Sequence, residues 1–230
     1  MMKVAVLTGS GISRESGLKT FRDMDGYWRK YRVEEIASPA AWDANPEMVL
    51  EFYNIRRKQL YEVAPNAAHY ALKKLEEKYE TVIITQNVDD LHERAGSRSI
   101  IHLHGELKKA RSTVDPSYII ELKTPVLQSG DRCPKGGQLR PHIVWFGEPV
   151  PMISKAARII AESDMLLVIG TSLVVYPAAG LVNYKKEHAP VYLIDPGEFP
   201  FLPQQNITHI QKNATIGVPE LVAQLLSSKP

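Results

Sequence analysis

Short apolar runs rich in β-branched residues recur along the chain and predict six strands. They cover residues 3–7, 81–85, 100–103, 165–169, 191–194 and 207–210. The runs are continuous or alternate with a period of two, which is typical of strands that are buried on one or both faces.

Amphipathic helical patterns separate most of these strands. Asn66 can cap one helix, and Pro219 is expected in the first turn of another. Their apolar stripes consist of Ala68, Leu72, Leu75 and Tyr79, and of Leu221, Val222, Leu225 and Leu226. Strands that alternate with amphipathic helices indicate a mostly parallel sheet covered on both faces, so the predicted fold class is α/β.

Two segments interrupt this alternation. Residues 33–64 are predicted to be helical, because Asn45 can cap a helix that has Pro46 in its first turn. Residues 108–140 contain many turn residues and are predicted to be irregular. Together they predict a smaller domain inserted twice into a larger one, which is formed by residues 1–32, 65–107 and 141–230.

The composition excludes several classes of protein. A chain of 230 residues with 44% apolar residues can bury its own core, and 28 Lys and Arg against 26 Asp and Glu lack the positive excess of a nucleic-acid-binding surface. Its one cysteine, Cys133, excludes an intrachain disulfide and a zinc site built on cysteine pairs. The first apolar stretch is too short for a signal peptide, and no run approaches the ~20 residues that span a bilayer. We therefore expect a cytoplasmic protein that binds neither nucleic acid nor membranes.

The first candidate site directly follows the first predicted strand. The sequence Gly9-Ser10-Gly11-Ile12 stands where α/β sheets present backbone N–H groups to a pyrophosphate, and glycine would permit its close approach. The next glycine, Gly17, comes too late for a standard dinucleotide fingerprint. A tight strand-to-helix turn without a ligand is the alternative.

Two further strands end in polar residues. Gln86, Asn87 and Asp89 follow the second strand, and Gly170-Thr171-Ser172 follows the fourth. Each group alone could be an ordinary turn or helix cap. Because parallel strands end at the same edge of a sheet, we expect all three groups to line one crevice.

Two histidines close the third strand. His102 and His104 are two residues apart and so point to one face. His104, at the carboxyl end before a glycine, is the better candidate for a general base, because imidazole titrates near neutral pH. A histidine pair that binds a metal is a further alternative, although the sequence places no third ligand.

These motifs occur in the order found in sirtuins. The resemblance rests on residues 9–13 continuing to Phe21-Arg22, on residues 86–89, on His104-Gly105, on Arg140-Pro141-His142-Ile143-Val144-Trp145-Phe146-Gly147-Glu148, and on residues 170–172. It spans nearly the whole chain. A sirtuin has a Rossmann-type parallel sheet and is an NAD-consuming protein-lysine deacylase that releases nicotinamide and O-acyl-ADP-ribose.

The resemblance implies a role for each motif. His104 matches the general base, and Asn87 and Asp89 match residues that hold the nicotinamide end of NAD. Residues 9–12, Gln86 and residues 170–172 match the cofactor site, as do Phe21 and Arg22 in a loop over NAD and Asp195 and Ala214 near the adenine ribose. The stretch Ile143, Val144, Trp145, Phe146, Gly147 and Glu148 matches the strand and turn that pair with the backbone of an acylated protein substrate.

Departures from the family pattern concern the metal and the first motif. Sirtuins usually hold a structural zinc with two Cys-x-x-Cys pairs, whereas this chain keeps only Cys133. We therefore expect no zinc. Ser10 and Arg14 replace alanines that are common in the family, and Asp195 stands where an asparagine often binds the adenine ribose.

Tyr53 and Arg56 lie one helical turn apart and so share a face. They resemble the Tyr-x-x-Arg of sirtuins that remove malonyl, succinyl and glutaryl groups, in which the guanidinium would bind the distal carboxylate. The alternative is a solvated Arg56 beside a half-packed Tyr53.

Two other functions compete. Tyr70 and Lys74 satisfy the Tyr-x-x-x-Lys of short-chain dehydrogenases, but they lie on an early amphipathic helix, where Lys74 is most simply a solvated residue. A sensor that binds NAD or ADP-ribose without turnover is the non-enzymatic alternative, against which His104 argues.

Overall fold

The computed structural model describes residues 1–19, 32–199 and 206–228, without the side chains of Val33 and Glu34. The strands in these residues are β1 (Lys3–Thr8), β2 (Glu80–Thr85), β3 (Ile100–His102), β4 (Gly105–Ser112), β5 (Ile119–Glu121), β6 (Leu139–Ile143), β7 (Met165–Ile169), β8 (Val191–Ile194) and β9 (Ile207–Ile210). The helices are α1 (Gly11–Arg14), α2 (Val33–Ile36), α3 (Pro39–Ala44), α4 (Pro46–Glu62), α5 (Ala67–Leu75), α6 (Leu91–Arg94), α7 (Ile153–Glu162) and α8 (Ala214–Ser227), with a 3₁₀ helix at Ala178–Tyr184.

All six predicted strands form and build one parallel sheet. Its order is β3-β2-β1-β7-β8-β9, and every neighbouring pair is parallel. β1 and β7 lie at its centre and are almost entirely buried, which explains their continuous apolar sequences. The α/β prediction is confirmed.

Helices cover both faces of this sheet. α5 and α8 pack on one face against Val6, Ile83 and Leu167. α7 and the 3₁₀ helix pack on the other face against Leu7 and Val168. The alternation of inward-facing residues along β1 therefore divides the core into two layers.

Two predictions of local structure are wrong. Pro219 lies inside α8 rather than in its first turn, because the helix begins five residues earlier, at Ala214. Residues 108–140 are not irregular: they carry β5 and parts of β4 and β6, which form an antiparallel sheet in the order β5-β4-β6. The many turn residues of this segment lie between the strands rather than throughout it.

The antiparallel sheet packs on α4. Leu50 of α4 joins Ala110, Leu127, Cys133 and Leu139 in a buried cluster. The domain boundaries predicted near residues 107 and 140 fall within β4 and β6. The division into two domains stays a prediction.

Among the helices in the described ranges, none is both long and apolar enough to cross a membrane.

Candidate active site

The turns after β1 and β7 cross at the switch point of the sheet, where the chain order changes direction. Gly9 N–H donates to Ile169 O at 3.0 Å, and Gly11 N–H donates to Gly170 O at 2.8 Å. Open α/β sheets bind their ligands in the crevice at such a point. The structure thus joins the first and third of the predicted strand-end motifs.

Glycine is required at this crossing because the two backbones are in contact. A Cβ on Gly9 would lie 2.7 Å from Gly170 O, and a Cβ on Gly11 would lie 2.6 Å from Gly170 Cα. Gly170 itself has a φ of +61°, in the left-handed region that favours glycine. The close approach of the two turns explains all three glycines.

The backbone amides of the first turn largely donate hydrogen bonds within the chain. Gly9 and Gly11 donate across the crossing, and the amides of Ile12 and Ser13 donate to Gly9 O and Ser10 O at 3.2 Å each. α1 has only four residues, and Ser10, its N-cap, makes no side-chain capping bond. The turn therefore offers a close backbone approach rather than a row of free donors.

Two carboxamides connect the turn after β2 to this crossing. Gln86 Nε2 donates to Thr171 Oγ1 at 3.2 Å. Asn87 Nδ2 donates to Gly9 O at 3.0 Å and to Ser13 Oγ at 3.1 Å, and Asn87 is buried. All three strand-end motifs therefore meet in one crevice, as the sequence predicts.

Asp89 follows Asn87 in the turn after β2 and interacts with the side chain of Ser13 in the first turn. Its side chain is buried, and its Oδ1 accepts a hydrogen bond from Leu91 N–H at 3.2 Å. Burial raises the pKa of this carboxyl, against the Leu91 amide and the Ser13 hydroxyl, which favour the charged form. Asp89 therefore binds the first amide of α6 and interacts with Ser13 of the first turn.

His104 has the geometry of a general base. Its Nδ1 lies 3.0 Å from Gln86 O, and because a carbonyl only accepts, Nδ1 carries the proton and Nε2 keeps a lone pair. Burial lowers the pKa of His104, against the bond to Gln86, so the neutral ring is favoured. A neutral imidazole with a free Nε2 can take a proton.

His102 has a different environment. Its Nδ1 lies 3.2 Å from Asn87 O, and its Nε2 lies 2.7 Å from Glu93 Oε1. Burial opposes a charge on His102, but the bond to Glu93 outweighs it and raises the pKa. The ligand atoms of Glu93, His102 and Glu106 lie within 4.8 Å of one another, so acidic partners surround His102 and not His104.

Tyr53 is held in a fixed orientation on α4. Trp145 Nε1 donates to the Tyr53 hydroxyl oxygen at 3.1 Å, and both side chains are buried. An indole N–H only donates, so the Tyr53 hydroxyl accepts this bond and directs its own proton elsewhere. Burial raises the pKa of Tyr53 to about 12, against Arg56 and Trp145, and so keeps the phenol protonated.

Arg56 lies beside Tyr53 and is partly buried. Its guanidinium carbon is 5.8 Å from the centre of the Phe52 ring. Burial lowers the pKa of Arg56, whereas interactions with Tyr53 and Asp89 favour its charge. The predicted pair thus lies on α4, where Arg56 interacts with Asp89 in the turn after β2.

Glu148 connects the stretch after β6 to Arg140 in β6 and to Arg111 in β4. This carboxylate accepts bonds from Arg140 at 2.7 and 2.9 Å, from Arg111 and from Trp145 N–H at 2.8 Å. Burial raises the pKa of Glu148, but the bonds from Arg140 and Trp145 outweigh it and lower the pKa. The Arg140 guanidinium also stacks 3.3 Å above the Trp145 ring. Glu148 therefore holds its own turn together through these contacts.

The exposure of this stretch alternates. Ile143 and Trp145 are buried against α4, whereas Phe146 and Gly147 are exposed and Val144 is half-buried. The amides of Val144 and Phe146 already donate to His104 O and Ala37 O. Ile143 and Trp145 thus support the surface that Val144, Phe146 and Gly147 present.

The remaining predicted residues lie along the same edge of the sheet. Ser172 is half-buried after Thr171, Asp195 directly follows β8, and Ala214 begins α8. Asp195 Oδ1 accepts from Gly197 N–H at 2.8 Å. Phe21 and Arg22 lie outside the described residues.

Sequence reasoning missed a buried arginine beside the predicted pair. Arg57 donates to Leu107 O at 2.6 Å, to Pro125 O at 2.8 Å and to Asn54 Oδ1 at 2.7 Å. Asn54 in turn exchanges two hydrogen bonds with the backbone of Leu127. These bonds attach α4 to the antiparallel sheet. Nothing in the sequence pattern indicates that the arginine directly after Arg56 is buried.

The model of the Sir2 family matches residues 9–177. This range includes all three strand-end motifs, His104, and the Tyr53 and Arg56 pair.

Individual relatives match over the full length. A curated protein of Bacteroides thetaiotaomicron named NAD-dependent protein deacylase is 51% identical over 100% of both chains. A Helicobacter pylori protein of the same name is 49% identical over 98% of both. A solved structure described as a Sir2 homolog–NAD complex is 40% identical, with a TM-score of 0.89 over 97% of this chain and 89% of that one.

Proposed function

The chain belongs to the Sir2 family and is an NAD-dependent protein deacylase, and we propose that it prefers lysines carrying succinyl, malonyl or glutaryl groups to acetyl-lysine. The observation that carries the preference is the Tyr53 hydroxyl, which accepts from Trp145 and lies beside the Arg56 guanidinium. The products are nicotinamide, O-acyl-ADP-ribose and the free lysine.

NAD would lie in the crevice at the switch point of the sheet. Gly9, Gly11 and Gly170 leave backbone without side chains at the switch point, because a Cβ on any of them would strike the facing turn. Residues 9–12 and 170–172 would hold the phosphates and the adenine ribose. Asp195 and Ala214, at the ends of neighbouring elements, would complete that half of the site.

When bound, NAD supplies a ribose carbon that gives up nicotinamide and accepts the acyl oxygen of the substrate. Asn87 and Asp89, held rigidly by their hydrogen bonds, would orient the nicotinamide end. His104 would take a proton from a ribose hydroxyl at Nε2, because its Nδ1 proton is committed to Gln86 O. Its lowered pKa keeps the ring in the form that can act as a base at neutral pH.

The acyl preference follows from hydrogen-bond directions. A carboxylate needs donors, and Tyr53 is a neutral phenol whose oxygen already accepts from Trp145. Its proton is therefore available to one carboxylate oxygen while Arg56 binds the other. An acetyl group offers nothing to either donor, so the pair discriminates by the charge at the end of the acyl chain.

We also propose that the antiparallel sheet is stable without zinc. The residues present do not fit a structural zinc site, because residues 108–140 contain one thiol and no histidine. Cys133 Sγ instead accepts from Ser112 Oγ at 3.2 Å within the buried cluster around Leu127. Tyr118, Ile120 and Leu122 pack on that cluster, whereas Val114 and Ile119 are exposed.

The dehydrogenase alternative has no support in the structure. Tyr70 and Lys74 are exposed on α5, away from the switch-point crevice.

A panel of acyl-lysine peptides on one backbone, assayed with NAD for nicotinamide release, tests the proposal. We expect succinyl, malonyl or glutaryl peptides to have the highest kcat/KM. Equal or higher kcat/KM for acetyl-lysine would refute the acyl preference, and NADH formation would refute the reaction.

A further inference from the structure

Two histidines that the reaction does not use are buried next to the turn from Gly9 to Ile12, which we call the cofactor turn. His69 in α5 is 0% exposed and His92 in α6 is 1% exposed. Their ring centres are 4.9 Å apart, with the planes tilted by 59°. Burying two polar imidazole rings costs free energy unless they form hydrogen bonds. The hydrogen bonds that they form therefore indicate their structural role.

His92 holds the beginning of the cofactor turn. Its Nε2 lies 3.2 Å from Oγ1 of Thr8, the last residue of β1, and Thr8 is completely buried. Gly9, which contacts the turn after β7, follows immediately. The side chain of His92 thus restrains the point at which the chain leaves the sheet.

His69 holds the end of the same turn through Asn66. Asn66 N–H donates to His69 Nδ1 at 3.2 Å. The Asn66 side-chain amide donates to Ile12 O at 2.8 Å and to Ser16 Oγ at 2.9 Å. The two histidines therefore hold the turn from both ends.

The protonation states of His69 and His92 are compatible with the hydrogen bonds to Asn66 and Thr8. A backbone N–H only donates, so His69 accepts at Nδ1 and carries its proton at Nε2. Burial lowers the pKa of both rings, and His69 and His102 lower that of His92 further, so both rings are neutral. His69 Nε2 and His92 Nδ1 have no hydrogen-bond partner among the described residues. Each ring therefore makes a single bond, and that bond supports the turn.

We propose that His92, acting through Thr8, and His69, acting through Asn66, are positioning residues for NAD. They keep the turn from Gly9 to Ile12 against Gly170 and so set the affinity for NAD without touching it. The inference rests on the proposed function, in which this turn holds the cofactor.

The test separates NAD binding from turnover in the full-length enzyme. His92→Leu removes the bond to Thr8, and His92→Gln keeps a group that can donate to it. We expect His92→Leu to raise the KM for NAD by about 3- to 10-fold, the value of one lost hydrogen bond, with kcat and the KM for the acyl peptide within about twofold. His92→Gln should recover most of this loss, and His188→Leu, at an exposed position, should have no effect.

A double-mutant cycle shows whether the effect passes through Thr8. Thr8→Val should raise the KM for NAD as His92→Leu does, and the double variant should be no worse than either single variant. Calorimetric titration with NAD, well below the lowest melting temperature of the set, gives the same comparison without turnover. Additive losses, or a lower melting temperature with an unchanged KM for NAD, would overturn the inference.

Gly11→Ala tests the proposed NAD site separately from the role of His92, because its Cβ would strike Gly170. If Gly11→Ala leaves the KM for NAD unchanged, the turn does not hold NAD, and both the proposed site and this inference fail. If Gly11→Ala raises that KM and His92→Leu does not, this inference alone fails.

Discussion

Acid should destabilise the enzyme through His69, and the size of the effect can be worked out from its burial. His69 is 0% exposed, and burial lowers its pKa from 6.5 to about 4. Below pH 6.5, His69 is protonated in the unfolded chain, whereas in the folded chain it stays neutral until about pH 4. Stability is therefore present above pH 6.5 and is lost as the pH falls through this window.

The magnitude follows from the two pKa values. At about 1.36 kcal/mol per pH unit, the interval from 6.5 to about 4 corresponds to about 3 kcal/mol, a large part of the ~5–15 kcal/mol that stabilises a typical domain. Between pH 7.5 and 5.5 alone, His69 should account for a loss of about 1.4 kcal/mol. His92 acts in the same direction, and His102, whose pKa is raised, acts in the opposite direction.

His69→Gln isolates this contribution. His69 is the third residue of α5 in a capping box with Asn66, a position where glutamine is a usual partner, so the substitution can keep the bond to Asn66 N–H. Urea unfolding followed by circular dichroism at pH 7.5 and pH 5.5 gives the free energy of unfolding at each pH. We expect the difference between the two pH values to shrink by about 1.4 kcal/mol in His69→Gln.

The comparison needs a matched control, because any substitution in the core changes absolute stability. His188→Gln also removes one imidazole, at an exposed position, and serves as the matched control. An equal pH dependence in His69→Gln and the wild type would refute the reasoning that His69 is neutral in the folded chain.

Four further predictions concern the reaction and the metal. His104→Ala should reduce turnover by ~10²- to 10⁴-fold while NAD binding, measured by calorimetry, stays nearly intact. Arg56→Met should lower succinyl-lysine kcat/KM by about 10-fold or more and leave acetyl-lysine nearly unchanged, because a charge-assisted bond of ~1.5–3 kcal/mol exists only for acidic acyl groups. Trp145→Phe should lower the succinyl-to-acetyl ratio by about 3- to 10-fold, because Tyr53 loses the donor that orients its proton. Elemental analysis should find substoichiometric zinc, and prolonged chelation should leave the melting temperature and the activity unchanged.

Each of these predictions can fail clearly. A near-normal rate in His104→Ala would show that His104 is not the general base. An equal fall of both activities in Arg56→Met, with the fold intact, would make Arg56 structural. Tyr53→Phe controls for Trp145→Phe, since the two changes should not add if they act through one hydroxyl. Stoichiometric zinc, or unfolding on chelation, would show that the antiparallel sheet is a metal module.

The parallel sheet and the place of the site could be predicted because both depend on local patterns. A buried strand such as β7 must be apolar on both faces, so its sequence is recognisable without knowledge of its neighbours. Polar residues at the ends of such strands, Asn87 and Thr171 among them, then share one edge of the sheet. The helix that carries Tyr53 and Arg56 was predictable for the same reason, from its cap at Asn45.

The contacts that give these residues their chemistry depend on the tertiary structure. The bond between Trp145 and Tyr53 joins residues 92 positions apart, and that between His92 and Thr8 joins residues 84 apart. Periodicity carries no information about such pairs, because a helix or strand pattern specifies which face is buried and not what lies opposite. The same is true of Gly9 and Gly11, whose sequence suggested free amides for a phosphate, whereas packing against Gly170 uses those amides and is the physical reason for glycine.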